Sequence, residues 1–287
     1  MKDLVVFDCD GVIYRGNQRL PHVRETFQAL RRHNIPIRFL TNNSTMTRRD
    51  FADKLNGMDV EASEDEIQSS ARATALYLKA HAAPGTPVYV LGERGIRDEL
   101  RAAGLCPLYG AEWRGAQFVA VGMDRRFTYG KLAAALDAIV IGGAQLIATN
   151  RDPSFPLEGG RIVPGGGSMV SAIETAAGRE ALLIGKPQPY MLDQILAETG
   201  VKPARALMVG DRATTDVLAG RNAGMETLLV LGGVTPKSDI AGLPVKQRPH
   251  FIAKDIRGVL SVLGLSSKHP TAAWKDFAPA AAGKKRG

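Results

Sequence analysis

Leu4-Val5-Val6-Phe7-Asp8-Cys9-Asp10-Gly11-Val12 begins three residues into the chain, and its reading decides the rest. Four apolar residues that run into acids and a glycine describe a buried strand whose carboxyl end turns sharply. Side chains alternate along a strand, so Asp8 and Asp10 point the same way while Cys9 points into the core. Two carboxylates at one site must share a proton or bind a cation, and hard oxygen ligands of this kind suit Mg²⁺.

Short apolar runs of the same kind recur at Ile35 to Leu40, Ala181 to Ile184, Ala206 to Val209 and Thr227 to Leu231. Helical patterns lie between them, at Val23 to His33, Met191 to Glu198 and Asp216 to Ala223. This alternation predicts an α/β fold, a doubly wound and mainly parallel sheet of the Rossmann-like kind. A second series sits inside the first: strands at Val88 to Leu91, Phe118 to Val121 and Gln145 to Thr149, with helices at Gly95 to Ala103 and Tyr129 to Ile139. Pro84-Gly85-Thr86-Pro87 signals a loop at its start and Ala177-Gly178-Arg179 a helix end at its finish. The expected organisation is a core from residues 1–81 and 181–265, a smaller α/β cap inserted at 82–180, and a flexible basic tail at 266–287. The Ala-Pro-Gly-Lys composition after Pro270 is expected to bury too little to order itself.

Bulk properties narrow the function. At 287 residues and 45% hydrophobic content the chain can bury a large core. No stretch approaches the roughly 18 apolar residues of a membrane span, and no secretory pattern precedes Leu4, so a cytoplasmic protein without a membrane partner is expected. Two cysteines, Cys9 and Cys106, are too few for a disulfide framework and lie in no CxxC spacing; both are expected to be buried thiols. Half of the formal charge of +8 sits after Ser267, and the remaining basic residues are rarely interleaved with aromatics, which argues against a nucleic-acid partner.

In open parallel sheets the reactive groups lie just beyond the strand ends. After the second run come Thr41-Asn42-Asn43, a hydroxyl and amides able to hold phosphoryl oxygens without a charge penalty. After Ile184 come Gly185-Lys186-Pro187, which place a cation at the same edge. After Val209 come Gly210-Asp211-Arg212, with Asp216 five residues on from Asp211. Each signal alone is ordinary turn chemistry; together, in this order, they describe a phosphate and metal site.

This order resembles the haloacid dehalogenase superfamily, whose motifs read here as Asp8 to Val12, Thr41, Lys186, and Gly210-Asp211 with Asp216. It looks closest to the branch with a large α/β cap that contains the 4-nitrophenylphosphatases, phosphoglycolate and pyridoxal-phosphate phosphatases and NagD-type nucleotidases. Phe127-Thr128-Tyr129, Thr149 to Pro153 and Pro164 to Ser168 share that likeness. The resemblance implies Mg²⁺-dependent hydrolysis of a small phosphate monoester. Asp8 would be the nucleophile that forms an aspartyl-phosphate, and Asp10 the general acid and base. Mg²⁺ would be held by Asp8, the Asp10 backbone carbonyl and Asp211, with Asp216 in support. Thr41, Asn42, Asn43 and Lys186 would hold the phosphoryl group, and the loop Arg151 to Leu157, with Arg151 and Phe155, would read the leaving group. Phe155 stands where the pyridoxal-phosphate phosphatases carry a histidine, which points away from pyridoxal phosphate and leaves glycolate, glycerol, sugar and nucleotide monophosphates open. Relatives of this kind pair through the cap, so a homodimer is expected.

Three other readings compete. Cys9 and Arg15 stand at C-x5-R spacing, as in cysteine phosphatases, but the neighbouring aspartates would raise the thiol pKa. A dinucleotide module needs a G-x-G-x-x-G after the first strand, and Gly165-Gly166-Gly167 lies in the wrong context for one. An inactive scaffold of the same fold would be expected to lack one of Asp8, Asp10, Lys186 or Asp211, and all four are present.

Overall fold

The computed structural model describes residues 2–156 and 161–277. The chain begins with β1 (Leu4–Asp8), the short hairpin β2 (Tyr14–Arg15) and β3 (Gln18–Arg19), α1 (Val23–Arg32), β4 (Ile37–Thr41), α2 (Arg48–Asn56), β5 (Ile67–Ser69) and α3 (Ser70–His81). A second series follows: β6 (Pro87–Leu91), α4 (Arg94–Ala102), β7 (Cys106–Leu108), β8 (Phe118–Val121), α5 (Tyr129–Val140), β9 (Gln145–Ala148), the hairpin strands β10 (Ser154–Pro156) and β11 (Ile162–Pro164), α6 (Gly166–Ala177) and β12 (Leu182–Leu183). The chain then returns through α7 (Tyr190–Thr199), β13 (Ala206–Gly210), α8 (Leu218–Asn222), β14 (Glu226–Val230), β15 (Phe251–Ala253) and α9 (Gly258–Val262).

Two parallel sheets result. The larger has the order β15-β14-β13-β1-β4-β5 and the smaller β12-β9-β8-β6-β7. In the larger sheet the period-2 pattern buries both faces. Val5 and Phe7 pack with Ile37, Phe39, Leu207 and Val209 on one side, while Leu4 and Val6 pack with Leu40, Ala206 and Met208 on the other. The strand order runs outward from β1 in both directions: β4 and β5 on one side, then β13, β14 and β15 on the other. The carboxyl end of β1 is therefore the switch point, where an open parallel sheet leaves a crevice for ligands. Val88, Val90, Phe118, Ala120 and Ile147 of the smaller sheet join the same apolar cluster as Leu4, Leu78 and Ile195, so the two sheets share a core layer on one side. The amides of Gly95 and Ile96 at the start of α4 also donate to the carbonyls of Thr45 and Ser44, beyond the end of β4.

The run Ala181 to Ile184 departs from its expected place in the larger series. Only Leu182–Leu183 forms a strand, and it pairs with β9 of the smaller sheet. The reason is connectivity: β9, α6 and β12 make a strand-helix-strand crossover that returns to its own sheet. The chain passes from one sheet to the other at Gly185, where a Cβ would lie 2.3 Å from the Thr149 carbonyl oxygen.

The tail expectation also needs correction up to residue 277. Ile252 and Ala272 exchange backbone hydrogen bonds, Trp274 Nε1 donates to the Ile240 carbonyl at 2.9 Å, and the Arg248 guanidinium lies 3.8 Å from the Trp274 ring centroid. Trp274 and Phe277 pack on a cluster of Ala213, Val217, Leu229 and Ile240. Two aromatics thus anchor a segment whose average composition reads as unstructured; residues 278–287 lie outside the described residues. Deleting residues 270–287 is expected to destabilise the protein by about 1–3 kcal/mol, read as a lower urea midpoint at unchanged slope.

Candidate active site

The end of β1 delivers Asp8 to a buried cluster. Carboxylate oxygens of Asp8, Asp211 and Asp216 lie within 4.8 Å of one another. Lys186, 4% exposed, donates from Nζ to Asp8 Oδ1 and, at 2.7 Å, to Asp216 Oδ1. Asp216 stands in a single π-helical turn, Ala213–Val217, ahead of α8, where the sequence pattern suggested ordinary helix from Asp216 onward. Its Oδ2 accepts the amides of Asp211 at 3.2 Å and Arg212 at 3.0 Å. Asp211 Oδ2 accepts the amide of Val234 at 2.8 Å. Glycines admit that carboxylate: a Cβ on Gly11, which has φ +84°, would lie 2.2 Å from Asp211 Oδ2, and one on Gly233 1.9 Å from it.

Electrostatics here are dominated by burial. Burial pushes the Asp8 carboxyl well above the ordinary range, against the pull of Lys186 and with a further push from Asp216 and Asp211. Asp211 is raised to about 7 by burial and then by Asp216. Burial alone would lower the Lys186 pKa, but Asp216 and Asp8 outweigh it and hold the ammonium charged. Ionised, the three acids carry two negative charges more than Lys186 offsets. That surplus, on hard oxygen donors within 4.8 Å of one another, fits a divalent cation of the Mg²⁺ kind.

Asp10 lies one turn beyond β1, where Gly11 N donates to the Tyr14 carbonyl and Tyr14 N to that of Cys9. Burial raises its pKa to about 6, with Lys54 and Lys186 pulling it back. Cys9 faces the opposite way into the core, and burial, then Asp8 and Asp10, push its thiol well up. Arg15 donates to the Gly232 carbonyl at 3.1 Å. The cysteine-nucleophile reading therefore fails at the thiol, which is buried in the core with its pKa raised. Cys106, expected to be buried, is exposed on the edge strand β7.

At the end of β4, Thr41 is buried and its Oγ1 accepts the Asn43 amide at 3.1 Å. Asn42 does something the motif did not reveal. Its Oδ1 accepts the Lys186 amide at 2.9 Å, while its Nδ2 donates to the Lys186 carbonyl and to Asp152 Oδ2, both at 3.1 Å. The side-chain amide grips the Lys186 backbone from both sides and has no donor left to aim at a phosphoryl oxygen. Asn150 supports it, donating to the Asn42 carbonyl at 2.9 Å and accepting the Asp152 amide at 3.1 Å. Asn43 Oδ1 is occupied by Thr45, through its amide and hydroxyl at 2.8 Å. Asn42→Ala is expected to misplace Lys186 and lower kcat by about 10²-fold with little change in KM. A steady-state profile in which KM rises and kcat holds would instead make Asn42 a direct phosphoryl ligand.

These groups line a cavity of about 510 Å³. Met123, Asp152, Phe155, Gly165 and Gly166 close it from the side of the smaller sheet, and Arg15, Arg161 and Arg212 stand among its walls. Phe155 thus reaches the cavity, whereas Arg151 does not line it. Arg151 is turned to Glu174, with Nη1 2.8 Å from Oε2. Gly165 and Gly166, set aside in the sequence as unlike a dinucleotide loop, are part of the wall. A Cβ at Gly165 would lie 2.3 Å from the Asp152 carbonyl oxygen, so glycine lets the start of α6 press against the loop after β9. A Pro-Gly-Gly-Gly run ahead of a helical pattern was the available signal.

Comparisons with known proteins give the family. The profile of the family described as haloacid dehalogenase-like hydrolase matches residues 5–106, and a second profile of hydrolases like it matches residues 183–259. The chain is 39% identical over 261 residues to the glycerol-3-phosphate phosphatase of Homo sapiens, covering 83% of this chain and 81% of that one. It is 39% identical to a 5'-nucleotidase of Bacillus subtilis (strain 168), covering 81% and 88% respectively. A glycerol phosphate phosphatase from Mycobacterium tuberculosis, crystallised in complex with magnesium, superposes with a TM-score of 0.83 at 31% identity over 90% of this chain and 76% of that one.

Proposed function

The chain belongs to the haloacid dehalogenase-like hydrolases, and on that premise we propose that Asp8 is the nucleophile and Asp10 the general acid and base of a phosphate-monoester hydrolase. The reaction is Mg²⁺-dependent hydrolysis of a small-molecule phosphate monoester through an aspartyl-phosphate. One observation carries the assignment of residues: the Lys186 ammonium bridges Asp8 and Asp216 while Asp211 lies within the same 4.8 Å cluster.

In the first half-reaction an Asp8 carboxylate oxygen attacks phosphorus, the ester P–O bond breaks, and Asp10 gives its proton to the departing alcohol. In the second, Asp10 takes a proton from water as the water oxygen attacks phosphorus; inorganic phosphate leaves and the Asp8 carboxylate is restored. A carboxyl with a pKa of about 6 is poised for both directions near neutral pH. Lys186 and Thr41 hold phosphoryl oxygens, and Asn42 acts through Lys186. Asp8, the Asp10 carbonyl and Asp211, with Asp216 in support, would hold Mg²⁺, which would supply the charge neutralisation that Lys186 alone cannot.

The insert at residues 82–180, which carries every strand of the smaller sheet but β12, acts as a cap that excludes bulky macromolecules from the cavity. Phosphates of glycerol, glycolate, sugars and nucleosides are the substrate candidates, with 4-nitrophenyl phosphate as an artificial one. A cytoplasmic homodimer completes the reading; Val140 and Ile141 at the end of α5, 56% and 72% exposed, support pairing through the cap, and sedimentation equilibrium tests it. Among the described residues no helix is long and apolar enough to cross a membrane. The deciding assay is phosphate release from this panel with Mg²⁺ and with EDTA. Turnover is expected with the metal alone, and turnover that persists in EDTA would remove the metal from the reading.

A further inference from the structure

A second cavity, about 550 Å³, adjoins the first and shares Asn43, Met123 and Phe155 with it as a common wall. Its own lining is Phe127, Val163, Pro164 and Met169, edged by Asp124, Arg125, Thr45 and Ser168. Those edges are already bonded within the protein. Asp124 pairs with Lys131 at 2.6 Å, Arg125 Nε with Glu93 Oε1 at 2.7 Å, Ser168 Oγ with the Pro153 carbonyl at 2.8 Å and Thr45 Oγ1 with Asn43 Oδ1 at 2.8 Å. A polar occupant would find its partners taken, whereas an apolar one would meet aromatic, proline and thioether surface.

We propose that this cavity is a subsite for the apolar body of the leaving alcohol, so that the enzyme favours phosphates of aryl or fused-ring alcohols. The inference rests on the phosphatase reading. A phosphoryl group held at Asp8 and Lys186 leaves its ester oxygen facing the cavity that Met123 and Phe155 close. Met123 and Phe155 line both volumes, so an alcohol larger than glycerol or glycolate that extends along them reaches the apolar one. At about 550 Å³ the cavity falls within the roughly 300–1,000 Å³ range of small-molecule pockets.

The test compares 2-naphthyl phosphate with glycerol 3-phosphate in wild type, Ser168→Trp and Phe127→Ser. Ser168 is exposed at the rim, so the indole fills the cavity without disturbing the core; Phe127→Ser leaves the cavity open, and larger, while it removes apolar wall. Each substitution is expected to lower the naphthyl-to-glycerol ratio of kcat/KM by about tenfold or more, through the KM of the naphthyl ester. Comparing variants cancels the difference in intrinsic reactivity between aryl and alkyl esters. 2-Naphthol is expected to compete with 2-naphthyl phosphate. A ratio unmoved by both substitutions, with both esters still hydrolysed, overturns the subsite alone. Noncompetitive inhibition by 2-naphthol makes the cavity a separate effector site and overturns it too. If wild type hydrolyses neither these esters nor the wider panel, the phosphatase reading falls and this inference with it.

Discussion

Asp8→Asn is expected to leave a folded protein whose phosphate release falls by about 10⁴-fold or more, because an amide oxygen cannot form the acyl-phosphate on which both half-reactions depend. The fold survives for an electrostatic reason. Asp8 is an acid whose pKa burial pushes up, so its ionised form is a cost to the folded state, and a neutral isostere removes that cost. Lys186 keeps Asp216 at 2.7 Å as its partner. Lys186→Met makes the instructive contrast: it leaves Asp8 and Asp216 buried without their cation, and should destabilise by about 3–5 kcal/mol as well as inactivate. Cys9→Ser should retain most activity, since Cys9 packs in the core away from the cavity. Circular dichroism with single-turnover phosphate release separates the three. Retained turnover in Asp8→Asn together with loss in Cys9→Ser would reverse the assignment of the nucleophile.

Much of the site was legible because its residues sit at strand ends, where an apolar run marks both the strand and the edge it points to. Asp8, Asp10, Thr41, Lys186, Asp211 and Asp216 all follow that rule and converge on one cavity, although Ala181 to Ile184 pairs in the smaller sheet. That misplacement did no harm to Lys186, because Gly185 carries the chain across to the larger sheet's edge. What stayed hidden was mutual orientation. An Asn beside a Thr in a phosphate motif reads as a phosphate donor, and only the fold reveals that Asn42 spends its amide on the Lys186 backbone. Arg151 and Phe155 are four residues apart in one loop, yet the turn after β9 sends one to Glu174 and the other to the cavity. Short strands such as β5 and β15 carry too few alternations to declare themselves. The tail was misread because composition averages over residues, while two aromatics, Trp274 and Phe277, suffice to dock it.

The carboxylate cluster should also invert the usual dependence of stability on pH in metal-free protein. Asp211 has an ordinary value of 3.8 and a folded value of about 7, so between those two pH values the folded state holds a proton that the unfolded chain has released. Stability then falls as pH rises, since the folded state binds more protons than the unfolded one. The contribution is fully present below the unfolded pKa and is lost as pH climbs through about 7. Asp10, at about 6, acts in the same direction. In EDTA the protein is therefore expected to melt higher near pH 5 than near pH 8, by on the order of a few kcal/mol in stability. Mg²⁺ binds the ionised carboxylates and competes with those protons, so its stabilisation should grow over the same interval and be largest at pH 8. Thermal melts at pH 5, 6, 7 and 8, with EDTA and with Mg²⁺, measure both curves. Asp211→Asn is the control: with its carboxylate gone, the EDTA curve should flatten and the Mg²⁺ increment shrink together. An EDTA curve that rises from pH 5 to pH 8 in wild type would mean that the cluster is not the source of strain that its burial implies.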